Sequence, residues 1–174
     1  MLSERPVKII LVGDGAVGKT SIVNAFTNVR FSEHYKMTIG ATFASKTVYV
    51  AGKEVRLSIW DLAGQPRFHE ISQLFLKGAQ AALYVFDVTR PYTLDNLINW
   101  HRRVIEEAGD IPRVIAGNKI DIGSYSGKIH EEAKAFASSI GGIYIPTSAK
   151  TGQNIRESFA TLLSLLYKTK DIKV

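Results

Sequence analysis

Two short stretches of this sequence contain residue types that suit phosphate chemistry. The first, GDGAVGKT at 13–20, matches the pattern G-x-x-x-x-G-K-[ST] and lies between an apolar run and an amphipathic segment. The second, DLAGQPRFHE at 61–70, contains an aspartate, a glycine and a glutamine close together. Together they predict a site that handles a phosphate and a water molecule.

The glycines of the first stretch let the backbone curl so that several N–H groups point at one anion, and a helix start adds partial positive charge. We expect Lys19 to reach the outer phosphates and the Thr20 hydroxyl to ligate Mg²⁺. The alternative is a plain strand-to-helix turn, but chance gives this pattern in on the order of one chain in a few hundred of this length. The nucleotide-binding residues predicted here are Gly15, Ala16, Val17, Gly18, Lys19, Thr20 and Ser21.

Two further polar stretches follow apolar runs, NKID at 118–121 and TSAK at 147–150. Both runs are predicted to be parallel strands, and open α/β sheets bind ligands at the carboxyl ends of such strands. The Asp121 carboxylate accepts hydrogen bonds, so it matches the N1–H and the amine of guanine, a donor pair that adenine lacks. These stretches therefore predict a site for a guanine base.

The neighbours of Asp121 have expected roles of their own. We expect the Lys119 stem to lie over the purine face, Asn118 to brace the neighbouring loops, and the Ala149 N–H to meet the guanine O6. Taken alone, NKID also suits a solvated turn, so its weight comes from its place beside TSAK. The predicted base-binding residues are Asn118, Lys119, Asp121, Ser148, Ala149 and Lys150.

The order of the predicted elements indicates the fold class. Strands are predicted at 7–13, 43–50, 54–62, 81–88, 113–117 and 143–146, and helices from about 18, at 91–105, at 130–142 and from 154. This alternation indicates an α/β fold: a mostly parallel six-stranded sheet with one antiparallel edge strand and helices on both faces. We expect one domain, 1–174, that ends in a short basic tail at about 168–174.

Two helices carry more detailed predictions. His101 and Ile105 fall on the apolar stripe of the helix at 91–105, so both are expected to face inward. Asn154 and Glu157 have the spacing of a capping box at the start of the last helix.

Composition excludes several classes of function. The 174 residues contain no cysteine, so disulfides, cysteine-ligated metals, thiol catalysis and cysteine lipidation are excluded for this chain. No apolar run approaches the roughly 18 residues of a membrane span, and no secretory leader is evident. The net charge is +6, but the basic residues are scattered, so nucleic acid is not an expected partner. We expect a cytoplasmic protein, at most peripheral at membranes.

Five short motifs, in the order GDGAVGKTS, TIG, WDLAGQ, NKID and TSAK, resemble the signature boxes of a Ras-superfamily small GTPase. The resemblance runs from about Val7 to Tyr167, and the stretches YKMTIGATF, WDLAGQPRF and FLKGAQAALYVFDVT are most similar to the Rab branch. It implies a P-loop NTPase G domain that binds GTP and GDP with Mg²⁺.

The resemblance also implies roles for single residues. Thr38 matches the threonine that closes over the γ-phosphate and Mg²⁺, and Asp61 matches the aspartate that holds Mg²⁺ through water. Gly64 matches the glycine whose N–H senses the γ-phosphate, Gln65 the residue that orients the attacking water, and Phe31 the aromatic that packs against the base. The implied catalytic set is Gln65, Thr38, Gly64 and Lys19, and the implied metal ligands are Thr20, Thr38 and Asp61.

Three aromatic residues, Phe43, Trp60 and Phe75, match a trio that Rab-type proteins show to effectors, exchange factors and GTPase-activating proteins. For Trp60 the sequence adds a reason of its own, because it shares a strand face with Arg56 and Ser58. The alternative is packing at the sheet edge.

Pro66 departs from the family pattern, which usually has an acidic residue there. Proline pushes the preceding residue toward extended backbone, so we expect Gln65 to be extended and Pro66 to open a helical turn. If Pro66 displaces Gln65, the chain is a GTP-binding module with little hydrolysis. If it does not, the chain is a switch with slow hydrolysis, since no arginine is predicted to serve the site in cis. A P-loop ATPase or nucleotide kinase is a further alternative, which NKID and TSAK oppose.

Overall fold

The computed structural model describes residues 5–28 and 40–174. The strands in these residues are β1 (Val7–Val12), β2 (Ala41–Val50), β3 (Lys53–Leu62), β4 (Ala81–Asp87), β5 (Arg113–Asn118), β6 (Ile143–Pro146) and β7 (Ile172–Lys173). The α-helices are α1 (Lys19–Phe26), α2 (His69–Gln73), α3 (Tyr92–Asp95), α4 (Leu97–Ala108), α5 (Lys128–Ser139) and α6 (Ile155–Tyr167). A short 3-10 turn, Pro66–Phe68, precedes α2. None of the helices in the described ranges is both long and apolar enough to cross a bilayer.

The strands form one sheet in the order β6-β5-β4-β1-β3-β2-β7. Strands β1, β3, β4, β5 and β6 pair in parallel, whereas β2 pairs antiparallel with β3. The predicted α/β architecture is therefore confirmed. The sheet differs from the prediction in one respect, because β7 pairs antiparallel with Tyr49 and Val50 and so lies outside β2. Part of the expected tail thus satisfies backbone groups at the edge of the sheet.

The sheet separates two apolar layers, because successive side chains of a strand point to opposite faces. The first layer joins the sheet to α1 and α6, where the rings of Phe26 and Phe159 stack with centroids 3.8 Å apart. The second layer joins it to α4 and α5 and includes Leu76, which follows α2. All residues of β4 are buried, as expected for a central strand covered on both faces.

The predicted helix at 91–105 is two helices that meet at Asn96 and extend to Ala108. Its inward face also differs from the predicted stripe. Trp100 and Val104 are buried, whereas Ile105 is 38% exposed. The buried face of α4 therefore contains Trp100 and Val104, each one residue before the predicted His101 and Ile105.

The predicted capping box of the last helix is wrong. Asn154 precedes α6 in the left-handed region, at φ 59°, and its side chain makes no hydrogen bond to the helix N-terminus. Its Nδ2 instead donates to the Pro146 carbonyl at 2.8 Å, so Asn154 ties the start of α6 to the end of β6.

Candidate functional site

The phosphate loop curls between β1 and α1 around the amine of Lys19. Gly13, Ala16 and Gly18 have φ 144°, 62° and 103°, so the loop adopts positive φ three times before α1 begins. The buried Lys19 Nζ donates to the carbonyls of Gly13 at 2.9 Å and Asp14 at 2.8 Å. Gly18 lies so close to the Asn118 side chain that a Cβ there would collide with it.

Burial lowers the pKa of Lys19 to about 8, although the carboxylates of Asp61 and Asp14 act in the opposite direction. A buried ammonium in this position gains stability when an anion arrives, because the opposite charge favours the protonated form. Lys19 is therefore suited to receive phosphate oxygens, and Ser21, half-buried in the first turn of α1, follows directly.

Thr20 and Asp61 bring two hard oxygen donors together at the ends of the phosphate loop and β3. The Thr20 hydroxyl donates to Asp61 Oδ2, and Asp61 is buried. Oxygen ligands of this kind are those that Mg²⁺ prefers. The pair therefore fits the predicted metal site, whereas its third predicted ligand, Thr38, lies outside the described residues, as does Phe31.

Asn118 joins three loops at the carboxyl edge of the sheet. Its Nδ2 donates to the Val17 carbonyl at 3.0 Å, and its Oδ1 accepts from the Thr147 hydroxyl at 3.2 Å and from the Ala149 N–H at 3.1 Å. The expected bracing role is thus present. The Ala149 N–H is thus directed at Asn118 in this structure, and its expected contact with a guanine O6 stays a prediction.

Asp121 is exposed and is oriented by the TSAK stretch, since the buried Ser148 donates its hydroxyl to Asp121 Oδ1 at 2.7 Å. Lys119, at φ 72°, runs back to the phosphate loop, where its Nζ donates to the Ala16 carbonyl at 2.7 Å. Lys150 is exposed at the end of the stretch. The predicted base and phosphate residues thus meet at one edge of the sheet.

Gln65 adopts the extended backbone that Pro66 was expected to impose, with φ −76° and ψ 139°. Pro66 begins the 3-10 turn, which closes when the Phe68 N–H donates to the Gln65 carbonyl at 2.9 Å. The Gln65 side chain lies against Gly15 of the phosphate loop. Gly64, which precedes it, is buried against the backbone of the same loop. The proline therefore leaves the glutamine beside the loop.

The predicted aromatic trio forms a continuous stack. The ring centroids of Phe43 and Trp60 lie 5.2 Å apart, and those of Trp60 and Phe75 lie 5.5 Å apart. Phe43 is 65% exposed, while Trp60 and Phe75 are half-buried. Trp60 Nε1 donates to the Ser58 hydroxyl at 2.9 Å, so its polar atom is satisfied within the stack.

Sequence reasoning missed a second set of polar residues at the same edge. Asp14 accepts from Asn96 Nδ2 at 2.6 Å and from Trp100 Nε1 at 3.2 Å, which ties the phosphate loop to α4. Arg90, just after β4, donates to the Gly15 carbonyl at 3.1 Å. A cavity of about 570 Å³ lies between this loop, Gln65 and α4. The rule that drew attention to the ends of β5 and β6 applies equally to the end of β4.

The site consists of a strand, a glycine-rich turn that wraps around a buried lysine, and a helix that starts directly after the turn. This arrangement defines a P-loop nucleotide-binding protein. Within that class, residues 8–168 match the model described as "Ras family", so the chain belongs to the Ras family.

Curated relatives refine this assignment. The chain is 38% identical to Ras-related protein RABA2d of Arabidopsis thaliana over 161 residues, which cover 92% of this chain and 74% of the relative. It is 40% identical to Ras-related protein Rab7 of Pisum sativum (90% and 80% covered) and 41% identical to GTP-binding protein yptV5 of Volvox carteri (91% and 80% covered). The chain is a Rab-like small GTPase, which confirms the resemblance found in the sequence.

Proposed function

We propose that this chain is a molecular switch that binds GTP with Mg²⁺, hydrolyses it slowly to GDP and phosphate, and engages effectors in the GTP state. The observation that carries the proposal is the contact between Gln65 and Gly15, because it brings the residue proposed to orient the water to the phosphate loop. The Rab-named relatives support a role in vesicle traffic, at the cytoplasmic face of membranes.

The chain's own residues have distinct proposed tasks. The loop N–H groups and Lys19 bind the phosphates, and Asp121, oriented by Ser148, accepts hydrogen bonds from guanine. Bound Mg²⁺ would be held through Thr20 and Asp61 and would neutralise phosphate charge. Gln65 orients the water that attacks the γ-phosphorus as the bond to the β–γ bridging oxygen breaks.

The proposed switch surface comprises the segments around 34–42 and 62–76, together with the trio Phe43, Trp60 and Phe75. A stacked, partly exposed aromatic group supports this role, because large aromatic anchors dominate many interfaces. The N–H of Gly64 and the hydroxyl of Thr38 are proposed to sense the γ-phosphate, so that hydrolysis releases the surface. Effectors, exchange factors and activating proteins would all meet this surface.

Two measurements test the proposal. In competition for a fluorescent guanine nucleotide, GTP should displace the probe and ATP should not, and Asp121→Asn should weaken GTP binding while improving that of xanthosine triphosphate, which carries an oxygen in place of the guanine amine. Displacement by ATP as effective as by GTP would contradict the guanine assignment.

Single-turnover hydrolysis of preloaded GTP should slow by about tenfold or more in Gln65→Leu. Pro66→Glu is the matched variant for the backbone, and we expect it to leave the rate within about threefold of the parent, because Gln65 already lies beside Gly15. A parent as slow as Gln65→Leu, accelerated by Pro66→Glu, would instead favour a GTP-binding module with little intrinsic hydrolysis.

A further inference from the structure

Asp87, the last residue of β4, is the centre of a group of hydrogen bonds that the proposed function does not use. The residue is 1% exposed. Its Oδ1 accepts from the N–H of Thr89 at 2.9 Å and from the hydroxyl of the same residue at 2.6 Å. Its Oδ2 accepts from Arg90 Nε and from Lys119 Nζ, each at 3.0 Å. One buried carboxylate therefore holds two cations from different segments of the chain.

The Asp87 carboxylate is charged at neutral pH. Burial alone acts to raise its pKa, but the hydrogen bonds from Thr89, Lys119 and Arg90 outweigh burial and hold the pKa below its ordinary value. The Arg90 and Lys119 side chains are 30% and 32% exposed, so only the carboxylate is buried, and losing either cation would leave that buried charge less well compensated.

Each cation also reaches a carbonyl of the phosphate loop, and the two carbonyls are consecutive. Arg90 Nη2 donates to Gly15 O at 3.1 Å, and Lys119 Nζ donates to Ala16 O at 2.7 Å. In a trans peptide the N–H points away from the C=O. The cations therefore hold the outer side of two peptide groups whose N–H groups, those of Ala16 and Val17, point the other way.

We propose that Arg90 is a positioning residue for the nucleotide. This inference rests on the proposed GTP binding. Held by Asp87, the guanidinium fixes the Gly15–Ala16 peptide so that the Ala16 N–H is presented to a phosphate oxygen, and it polarises that peptide so that the N–H donates more strongly. With Lys119 it links the base-binding segment to the phosphate loop through one carboxylate.

An arginine suits this position because three acceptors lie around one planar group. Nε donates to Asp87, Nη1 to the Tyr92 hydroxyl at 3.0 Å and Nη2 to Gly15 O. The fixed fork of a guanidinium meets several acceptors at set angles, whereas an ammonium is a compact charge on a flexible stem. Because Gly15 also contacts Gln65, fixing this peptide supports the surface on which the glutamine rests.

The test compares Arg90→Met, which keeps an unbranched stem without charge, with Arg90→Lys and with Arg102→Met. Arg102 is an exposed arginine of α4 that donates to Asn99 Oδ1 at 3.5 Å, so it serves as the control. Two quantities are measured: the dissociation rate of GDP with Mg²⁺ present, and the amide ¹H–¹⁵N shifts of Ala16 and Val17 with and without nucleotide.

We expect Arg90→Met to raise the GDP dissociation rate about tenfold, the usual order for losing a charged hydrogen bond, and to move the Ala16 amide more than that of Val17. Arg90→Lys should recover part of both effects, since an ammonium can still donate to Gly15 O. Arg102→Met should change neither.

The proposal is overturned if Arg90→Met matches Arg102→Met in both readouts, or if it only lowers the melting temperature, which would make Arg90 a purely structural residue. Failure of the parent to bind GDP would refute the proposed function instead. The Ala16 shift in the nucleotide-free protein separates these outcomes, because it reports on the contact between Arg90 and Gly15 whether or not nucleotide binds.

Discussion

Gln65 lies directly against Gly15, so that a Cβ added to Gly15 would stand 2.9 Å from Gln65 Cγ. The backbone of Gly15 is outside the left-handed region, so an alanine is tolerated by the main chain. The added methyl group must therefore displace the glutamine. We expect Gly15→Ala to slow single-turnover GTP hydrolysis by about 10- to 100-fold, because small displacements of a positioned group are costly. GTP affinity, measured by equilibrium titration, should stay within about threefold of the parent; an unchanged hydrolysis rate would mean that Gln65 does not act from this position.

A substitution at Gly64 tests whether the segment that carries Gln65 must pack closely against the phosphate loop. A Cβ at Gly64 would collide with the Gly13 carbonyl and the Asp14 backbone and would lie 2.6 Å from Gly15 N. Backbone atoms cannot move aside cheaply, so Gly64→Ala should push the 64–68 segment off the loop. We expect hydrolysis to fall by at least about tenfold while GDP still binds.

Gly127→Ala is the matched control for Gly64→Ala, because nothing lies within 4 Å of a Cβ built there. It should leave hydrolysis and the melting temperature nearly unchanged. Equal hydrolysis rates for the two variants would show that the close packing of Gly64 against the phosphate loop does not affect hydrolysis.

Stability measurements can distinguish the exposed aromatic stack from the aromatic residues of the core. Phe43 is 65% exposed, so Phe43→Ala should lower the free energy of unfolding by less than about 1 kcal/mol. Phe26 is 1% exposed and stacks on Phe159, so Phe26→Ala should cost about 3–5 kcal/mol. Urea unfolding of both variants measures the difference. A loss for Phe43→Ala as large as that for Phe26→Ala would assign Phe43 to the core rather than to an interface.

His101 should make stability depend on pH. Its Nδ1 lies 2.8 Å from the Tyr84 hydroxyl, and burial, followed by the nearby Arg113, lowers the pKa of His101 below 6.5, with Asp110 opposing. As the pH falls, His101 of the unfolded chain binds a proton before His101 of the folded chain does. The contribution of neutral His101 to the free energy of unfolding is therefore complete above pH 6.5 and is lost as the pH falls toward the pKa of the folded state.

Urea unfolding at several pH values from about 7.5 to 5.5 measures this effect against His101→Gln. The parent should lose more stability than the variant over that range. His69, whose pKa is also lowered, is present in both proteins and cancels from the comparison. Parallel curves for the two proteins would exclude a contribution from His101.

The loops that carry the candidate site could be predicted from the sequence, because short motifs that directly follow a strand must lie at the end of that strand. The phosphate loop and the extended backbone at Gln65 are local consequences of residue type, and the place of Asn118 at the end of β5 follows from the strand pattern. Contacts that depend on packing between distant segments were not predictable in this way. Ala149 donates to Asn118, 31 residues away in the chain, and Arg90 reaches Gly15 across 75 residues.

Local patterns also failed where tertiary contacts competed with them. The spacing of Asn154 and Glu157 favours a capping box, but the Asn154 side chain donates to the Pro146 carbonyl instead. The stripe predicted for α4 counted apolar residues and gave little weight to Trp100, whose indole N–H donates to Asp14. In both cases the residue that departs from the predicted pattern has a hydrogen-bond partner in another segment of the chain.

The sheet places the helix behind the phosphate loop and the aromatic residues of the proposed partner surface in different apolar layers. The helix behind the phosphate loop, α1, is rooted in the first layer through Val23 and Phe26, while Trp60 and Phe75 rest on the second. Under the proposed function, substitutions in the aromatic trio therefore leave the packing of α1 against the sheet unchanged. The proposed partner surface can therefore change by substitution while the helix behind the phosphate loop keeps its support.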